Sequence, residues 1–145
     1  MAFLSSMDIS GSALTAERYR MDVILQNLAN ANTPAANGEE PYKRKQVIFQ
    51  ERPLSFQDQL SASQRKYAKS GGVRITQIVE NERDPKPVYD PTNPNANEDG
   101  YVMYPNVDHT EERVDLMAAS NAYIANLTAL AVMKATALKA LDIGK

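Results

Sequence analysis

Cysteine is absent from this 145-residue chain, and histidine occurs only once. Without cysteine the chain forms neither disulfides nor thiolate-based sites. The single histidine, His109, has no second histidine or cysteine with which to form a metal site or a nucleophilic pair. Its position beside a predicted helix start favours a capping or solvent-exposed role. The sequence therefore offers no catalytic set, and we expect neither enzyme activity nor a cofactor.

A net charge is also nearly absent, because 16 basic side chains almost balance 18 acidic ones. This balance does not favour binding to nucleic acid or to an anionic membrane. Two local basic clusters lack the interleaved aromatic residues that stack on bases, and we interpret them as solvated strand edges and loops. They are Lys43, Arg44 and Lys45, and Arg65, Lys66, Lys69 and Arg74. Nucleic-acid binding is therefore not expected.

Targeting segments are missing from the pattern as well. Residues 1–8 carry no basic region and no apolar stretch of signal-peptide length, so no cleaved signal peptide is expected. No run of about 18 apolar residues occurs, which predicts no transmembrane helix. No lipid anchor is expected either.

The stretch from Asn95 to Gly100 is the one segment similar to a calcium loop. Asn95 stands where the first acidic ligand is needed, and Asn106 stands where a bidentate glutamate is needed. Asp99 and Gly100, directly before a predicted strand, favour a turn instead. No glycine-rich phosphate loop or nucleophile elbow is present. No metal is therefore expected.

The sequence does contain strong helical patterns at its two ends. The first predicts a helix from about Ser12 to Ala31, extending towards Leu4 with Gly11 as a weak point. It ends at Thr33, because the residue before a proline is displaced from the α region. One side of the helical wheel gathers Phe3, Met7, Leu14, Met21, Ile24, Leu25 and Leu28, and Ile9, Ala16, Tyr19 and Val23 lie roughly opposite.

The second helical pattern runs from about Thr110 to Leu141. Asp108 is predicted to cap it, with Glu111 reaching back in a capping box. One apolar face comprises Leu116, Tyr123, Ile124, Leu127, Leu130, Leu138 and Leu141. A second, with heptad steps and small side chains, comprises Ala118, Ala122, Ala125, Ala129, Val132 and Thr136. An alanine-rich helix of high intrinsic propensity is the alternative interpretation of this second face.

The middle of the chain holds all the prolines and shows short strand patterns between turn residues. Strands are predicted around residues 47–49, 73–79, 86–89 and 100–104, the last two joined by a Pro/Asn-rich stretch. The polar segment near residues 55–72 is predicted to be a mobile loop or a short helix.

These patterns together predict an α+β fold in three parts. They are a coiled-coil helix over residues 1–33, a small β-rich domain over 34–108, and a second coiled-coil helix over 109–145. A helix with two apolar faces needs more than one neighbour, and a chain this short has few elements to supply them. The ends are therefore expected to assemble with other subunits.

Several motifs resemble those of the bacterial flagellar rod, hook and hook-associated family. The N-terminal motif spans residues 12–18 and 27–34, with Asn27, Ala29, Asn30, Thr33 and Pro34 as its signature. Residues 118–126 and 139–144 resemble the C-terminal motif, and residues 42–49, 90–91 and 100–107 narrow the resemblance to proximal rod subunits. The match extends over essentially the whole chain.

Two positions depart from the family pattern. Asn121 stands where a basic residue is common and Ile124 where an acidic one is common. Losing both charges suggests that apolar packing replaces a local salt link.

The resemblance implies a structural subunit of the flagellar drive shaft, which crosses the periplasm. It implies export through the flagellar type III apparatus and contacts with other copies, other rod subunits and a membrane-ring adaptor at the rod base. We expect the assembly interface to comprise Leu14, Met21, Leu25, Leu28, Ala118, Ala122, Tyr123, Ala125, Leu127, Ala129 and Leu130. The alternative is a soluble adaptor or ligand-binding module built on a helical hairpin, which a pocket lined by convergent polar residues would favour.

Overall fold

The computed structural model describes residues 2–36, 39–53 and 71–143. Its elements follow in the order α1 (Ala2–Asn30), β1 (Lys45–Glu51), β2 (Val73–Glu80), β3 (Lys86–Tyr89), β4 (Tyr101–Tyr104) and α2 (His109–Ile143). Two terminal helices thus enclose a middle region of antiparallel strands, which confirms the predicted α+β class. The predicted polar loop near residues 55–72 lies almost entirely outside the described residues, as do Arg65, Lys66 and Lys69.

Both helices are longer than predicted. α1 continues through Gly11 to Ala2, so the glycine is accommodated inside the helix. At its other end the amide of Thr33 donates to the carbonyl of Asn30 at 3.1 Å, and the chain turns before Pro34. α2 begins after Asp108, whose Oδ1 accepts the amides of Thr110 at 2.8 Å and Glu111 at 3.4 Å. The predicted Asp108 cap is therefore confirmed.

The strands form two separate two-stranded sheets, β1 with β2 and β3 with β4. The β3–β4 pair is antiparallel, with Val88 opposite Val102 and Tyr89 opposite Tyr101. Val102 is fully buried, whereas Tyr89 is 66% exposed. Because paired residues share a face and successive residues alternate, only one face of this hairpin packs inward.

The chain divides into two compact units, and each receives part of both helices. The first comprises Met1–Tyr19, Phe49–Thr76 and Ala119–Lys145. Within it Ser12 connects α1 to the strand region: its Oγ donates to the carbonyl of Ile9 at 2.7 Å and accepts the amide of Val73 at 3.0 Å. Gly72, at φ 82°, permits this approach, because a Cβ there would lie 2.5 Å from the Ser12 Oγ.

The second unit comprises Arg20–Ile48 and Gln77–Ala118. Its apolar core is small and consists of Val23, Ile24, Ala31, Val102 and Val107. α1 and α2 meet in this unit with opposite chain directions, since Arg20 lies 3.6 Å from Asp115 and Asn27 bonds to Glu112. Apart from Pro105, the remaining buried side chains among the described residues of the unit are polar.

Candidate functional site

A buried polar cluster occupies the second unit where α1 ends and α2 begins. We use the name polar cluster for Asn27, Tyr42, Arg44, Asn106 and Glu112. Glu112 is 0%, Asn27 1% and Arg44 4% exposed. Burying amide and charged groups is costly unless each polar atom has a partner. The hydrogen bonds of this cluster supply those partners.

Asn27 makes four hydrogen bonds from the last turns of α1. Its Nδ2 donates to the carbonyl of Lys45 and to Oε2 of Glu112, both at 2.9 Å. Its Oδ1 accepts the Tyr42 hydroxyl at 2.8 Å and the Lys45 amide at 3.0 Å. A carboxamide has two donors and two acceptor sites, so Asn27 is fully satisfied.

Arg44 lies at the centre of an ionic network with the start of α2. Its Nε donates to Oε1 of Glu112, Nη1 to Glu111 at 3.0 Å, and Nη2 to Asp115 at 3.0 Å. Burial alone lowers the pKa of Arg44, but bonding and charge from the three carboxylates outweigh it and raise that pKa. The guanidinium thus stays charged and directs its donors to three acids on one helix.

Asn106 and Tyr42 complete the cluster from the segments around the strands. Asn106 accepts the Arg44 amide at 2.9 Å through Oδ1 and donates through Nδ2 to the carbonyls of Asn81 and Arg83. Burial, followed by the charges of Glu112 and Glu80, raises the pKa of Tyr42. The cluster therefore connects α1, the approach to β1, the β2–β3 connection and α2 through side chains.

Two interpretations of charged residues from the sequence are corrected by this geometry. Arg44 does not lie on a solvated strand edge, because it is buried with partners on α2. Glu111 directs Oε1 to Arg44 instead of using it in the predicted capping box. Long-range ion pairing outweighs local capping here because a buried guanidinium needs several acceptors.

Glu112 and Asn106 were not singled out by the sequence patterns. One signal was present for Glu112: it lies in heptad phase with Leu116, Ala119 and Tyr123, where apolar residues are expected. A charge within such a seam indicates a buried partner. Nothing local marks Asn106, since its partners are backbone groups 23, 25 and 62 residues away.

The chemistry of the polar cluster is structural. It holds no nucleophile paired with a base, and Asn27, Arg44 and Asn106 use their polar groups on other side chains or on the backbone. A surface cleft in the same unit is lined by residues 40–43, 82–85 and Asn106, whose side chain is already bonded. Among residues 2–36, 39–53 and 71–143, no group of three or more His, Asp or Glu side chains is placed to hold a metal.

The residues predicted to form the assembly interface all remain at least partly accessible in the single chain. Leu25 is 51% and Leu127 is 49% exposed. Ala118, Ala125 and Ala129 are also exposed, whereas Leu14, Met21, Leu28, Ala122, Tyr123 and Leu130 are half-buried. The side of α1 that is most buried is instead the one carrying Ala16 and Val23. The interface assignment stays a prediction.

A heptad seam of reduced exposure runs along α2. Its positions follow steps of four and three residues, and comprise Glu112, Leu116, Ala119, Tyr123, Asn126, Leu130, Met133 and Ala137. The alanine seam through Ala125 lies beside it and is more exposed. α2 therefore has one partly covered stripe and apolar residues outside it.

The exposed surface of α2 is unusually apolar for a helix in contact with water. No charged side chain occurs between Asp115 and Lys134. Val114, Met117, Ile124, Val132, Leu138 and Leu141 are each more than half exposed. Ile124 stands where an acidic residue is common in the family, and apolar packing was expected to replace the salt link there. Its side chain is 54% exposed, so it is not buried against another part of the subunit.

The expectation of no transmembrane helix stays a prediction, and it considered only uninterrupted apolar runs. By length and composition α2 is apolar enough to cross a membrane, and only 6% of its most apolar stretch is buried within the chain. The sequence pattern missed this because Ser120, Asn121, Asn126 and Thr128 interrupt every long apolar run, whereas alanine, leucine and valine dominate the average. An apolar helix of this kind requires cover.

The signature residues near the end of α1 have unequal roles. Asn27 is buried in the polar cluster, and Asn30 closes the helix with its Nδ2 donating to the carbonyl of Gln26 at 2.8 Å. Ala29 and Thr33 are exposed, and Pro34 is half-buried at the exit from the helix. His109 bonds through Nε2 to Oδ1 of Asn32 at 3.0 Å, within the same region.

Known proteins resemble this chain from end to end. Residues 7–36 match the family described as flagella basal body rod protein. The chain is 45% identical over 150 residues to flagellar basal-body rod protein FlgC of Bacillus subtilis (strain 168), with all of both chains covered. It is 40% identical to FlgC of Escherichia coli O6:H1 and 39% identical to FlgC of Salmonella typhimurium, again over the full length of both chains.

Identity at this level over the whole length establishes common descent and function at the family level. The terminal helices, the signature around Asn27 and the middle strands are all included in the match. The chain belongs to the FlgC family of flagellar basal-body rod proteins and is a structural protein of the bacterial flagellar basal body.

Proposed function

We propose that this chain is a subunit of the proximal rod that assembles through its terminal helices into the torque-transmitting drive shaft. The observation that carries the proposal is the exposed apolar surface of α2. In water this surface would favour association, and its uncharged stretch extends from Leu116 to Met133. Relatives named as rod proteins match the chain at full length.

A coiled-coil arrangement of the two terminal helices is the packing we propose. The heptad seam of α2 has the 3.5-residue period that keeps one stripe against a partner helix. Opposed chain directions at Arg20–Asp115 and Asn27–Glu112 favour an antiparallel pair within the subunit. Residues 1–33 and 109–145 would form this part, and residues 34–108 would form a β-rich domain on the outside of the tube.

The small residues beside the seam supply the contacts between subunits. Ala118, Ala125 and Ala129 are exposed and let a neighbouring helix approach closely. Each copy would meet other copies and other rod subunits through heterologous contacts that repeat around the tube. The subunits at the rod base would also contact a membrane-ring adaptor.

Delivery to the rod is proposed to use the flagellar type III export apparatus without a cleaved signal peptide. Export in the unfolded state requires a subunit that unfolds readily. The small apolar core of the second unit supports this, because few apolar contacts have to be broken. No disulfide has to be reduced or reformed, since cysteine is absent.

A matched pair of alanine substitutions tests the assembly proposal. Ala125→Leu adds bulk at an exposed position, so we expect thermal stability of the isolated subunit to stay within about 0.5 kcal/mol and basal-body yield to collapse. Ala119→Leu adds the same bulk where the side chain is 0% exposed and should destabilise the subunit itself by about 1–3 kcal/mol. Normal motility and basal-body yield with Ala125→Leu would show that this seam faces solvent.

A further inference from the structure

The hairpin of β3 and β4 leaves one aromatic face exposed. We use the name hairpin face for its outward side, which carries Pro87, Tyr89, Tyr101 and Met103. Tyr89 is 66%, Tyr101 42% and Met103 37% exposed. The two tyrosine rings meet edge to face, with centroids 5.3 Å apart and an interplanar angle of 65°. A sheet face with this much exposed aromatic and apolar surface is typical of contacts between proteins.

The loop between the two strands holds the hairpin face in a defined shape. The amide of Asp90 donates to the carbonyl of Gly100 at 3.0 Å, and the amide of Asn97 donates to the carbonyl of Tyr101 at 2.9 Å. Oδ1 of Asn97 also accepts the amides of Asp99 at 3.1 Å and Tyr101 at 2.8 Å. The face is therefore preorganised, and a partner that binds it would lose little affinity to ordering of the loop.

The charge around the hairpin face is acidic. No lysine or arginine occurs between Lys86 and Arg113. Glu98 and Asp99 are exposed shortly before β4, and Asp90 directly follows β3. Carboxylates and the faces of aromatic rings both attract cations. The surface therefore favours a partner that presents lysine or arginine side chains.

The chain itself carries a segment with that chemistry. Between Asp58 and Glu80 the sequence contains four basic residues and no acidic one. They are Arg65, Lys66, Lys69 and Arg74, and we use the name basic segment for residues 65–74. Arg74 lies on β2 with an exposed side chain, and the other three lie outside the described residues. The charge of the basic segment complements the charge around the hairpin face.

We propose that the hairpin face docks the basic segment of a second copy of this chain in the rod, an inference that rests on the proposed function. Each copy carries both surfaces, so each copy binds the next one in the same way. Head-to-tail contacts of this kind repeat around a helical tube, whereas a self-complementary contact ends after two copies. The near-zero net charge of the chain adds little general repulsion between copies.

Charge reversal with compensation tests the docking in cells that produce the full chain. Glu98→Lys with Asp99→Lys should lower the yield of complete basal bodies by about tenfold or more, because like charges then face each other at every contact between copies. Lys66→Glu and Lys69→Glu added to the same chain should restore most of that yield, since both sides of the contact are then reversed.

The matched control reverses two exposed charges outside the hairpin. Glu82→Lys with Asp84→Lys should leave the basal-body yield unchanged. The proposal is overturned if reversal at Glu98 and Asp99 has no larger effect than this control. It is also overturned if the compensating reversals do not raise the yield.

Cross-linking identifies the occupant directly, because the chain has no cysteine of its own. Glu98→Cys and Lys69→Cys are produced as two separate chains with tags of different size in the same cells, and intact basal bodies are treated with a short bismaleimide. We expect a dimer that contains one chain of each kind. Glu82→Cys in place of Glu98→Cys is the control and should give little of this mixed dimer.

The other outcomes of the cross-linking separate the docking from the proposed function. A cross-link only to a different rod protein overturns the docking, as does one that forms only within a chain carrying both cysteines. Basal bodies that contain both tagged chains without a mixed dimer overturn the docking alone. Absence of the unsubstituted chain from purified basal bodies would overturn the proposed function, and the docking with it.

Discussion

At the scale of single residues, the hydrogen bonds of Asn27 give a structural reason for one residue of the family signature. Asn27 belongs to the family motif, and the structure shows why its side chain suits the position. Both amide hydrogens have acceptors and the oxygen has two donors, one of them the backbone of Lys45. Neighbouring signature residues such as Ala29 and Thr33 are exposed and have no comparable role within the subunit.

Replacing Asn27 by aspartate should lower the free energy of unfolding far more than the same replacement at Asn30. Asn27→Asp replaces the donating amide by a carboxylate oxygen. That oxygen would face the Glu112 carboxylate and the Lys45 carbonyl, which are both acceptors. We expect a loss of about 3–5 kcal/mol in the free energy of unfolding. Asn30→Asp, whose amide bonds only to a carbonyl of its own helix, should cost less than about 1 kcal/mol. Urea unfolding of both variants measures the difference, and equal losses would contradict the account of the cluster.

The raised pKa of Tyr42 predicts a specific alkaline dependence. Its folded pKa lies above the unfolded one, so its contribution to stability is complete below about pH 10 and declines as pH rises through the folded pKa. Tyr42→Phe should therefore cost about 1 kcal/mol at neutral pH, and this cost should shrink above about pH 10. Tyr89→Phe, at an exposed ring, serves as the control. A cost for Tyr42→Phe that does not change with pH would contradict the assignment.

At the scale of elements, periodicity and turn chemistry predicted most of the fold. The four strands and two helices occur where the patterns placed them, because local propensity and burial agree in these segments. Predictions failed where distant groups decided the outcome. Glu111 bonds to Arg44 instead of forming the predicted capping box. The approach of Ser12 to Gly72 depends on residues far apart in the sequence.

Two glycines in the first unit should respond oppositely to alanine. Gly72→Ala strains a residue at φ 82° and drives a Cβ to 2.5 Å from the Ser12 Oγ, so we expect a loss of about 1–3 kcal/mol. Gly11→Ala fills open space inside α1 and should stabilise the subunit by up to about 1 kcal/mol. Thermal unfolding of the two variants measures both signs. Destabilisation by Gly11→Ala would show that this turn of α1 is not helical in solution.

At the scale of the whole molecule, the subunit combines the buried polar cluster with an exposed apolar surface on α2. The sequence predicted the exterior, because Leu25, Leu127 and the alanines of α2 are marked by helical spacing. It could not predict the polar cluster, because no sequence pattern relates hydrogen-bond partners as far apart as Asn27 and Glu112. Family membership followed from motifs, whereas the choice of interface residues depends on what covers α2 after assembly.

The central claim is that neighbouring subunits cover the exposed face of α2 in the rod. Because the chain has no cysteine, Leu127→Cys introduces a single thiol at a 49% exposed position. Its labelling by a water-soluble maleimide can be compared in isolated subunits, in detergent-purified basal bodies and in the same basal bodies after denaturation. The account predicts rapid labelling in the subunit, strong protection in the basal body and full labelling on denaturation. Labelling in intact basal bodies as fast as in the subunit would contradict it.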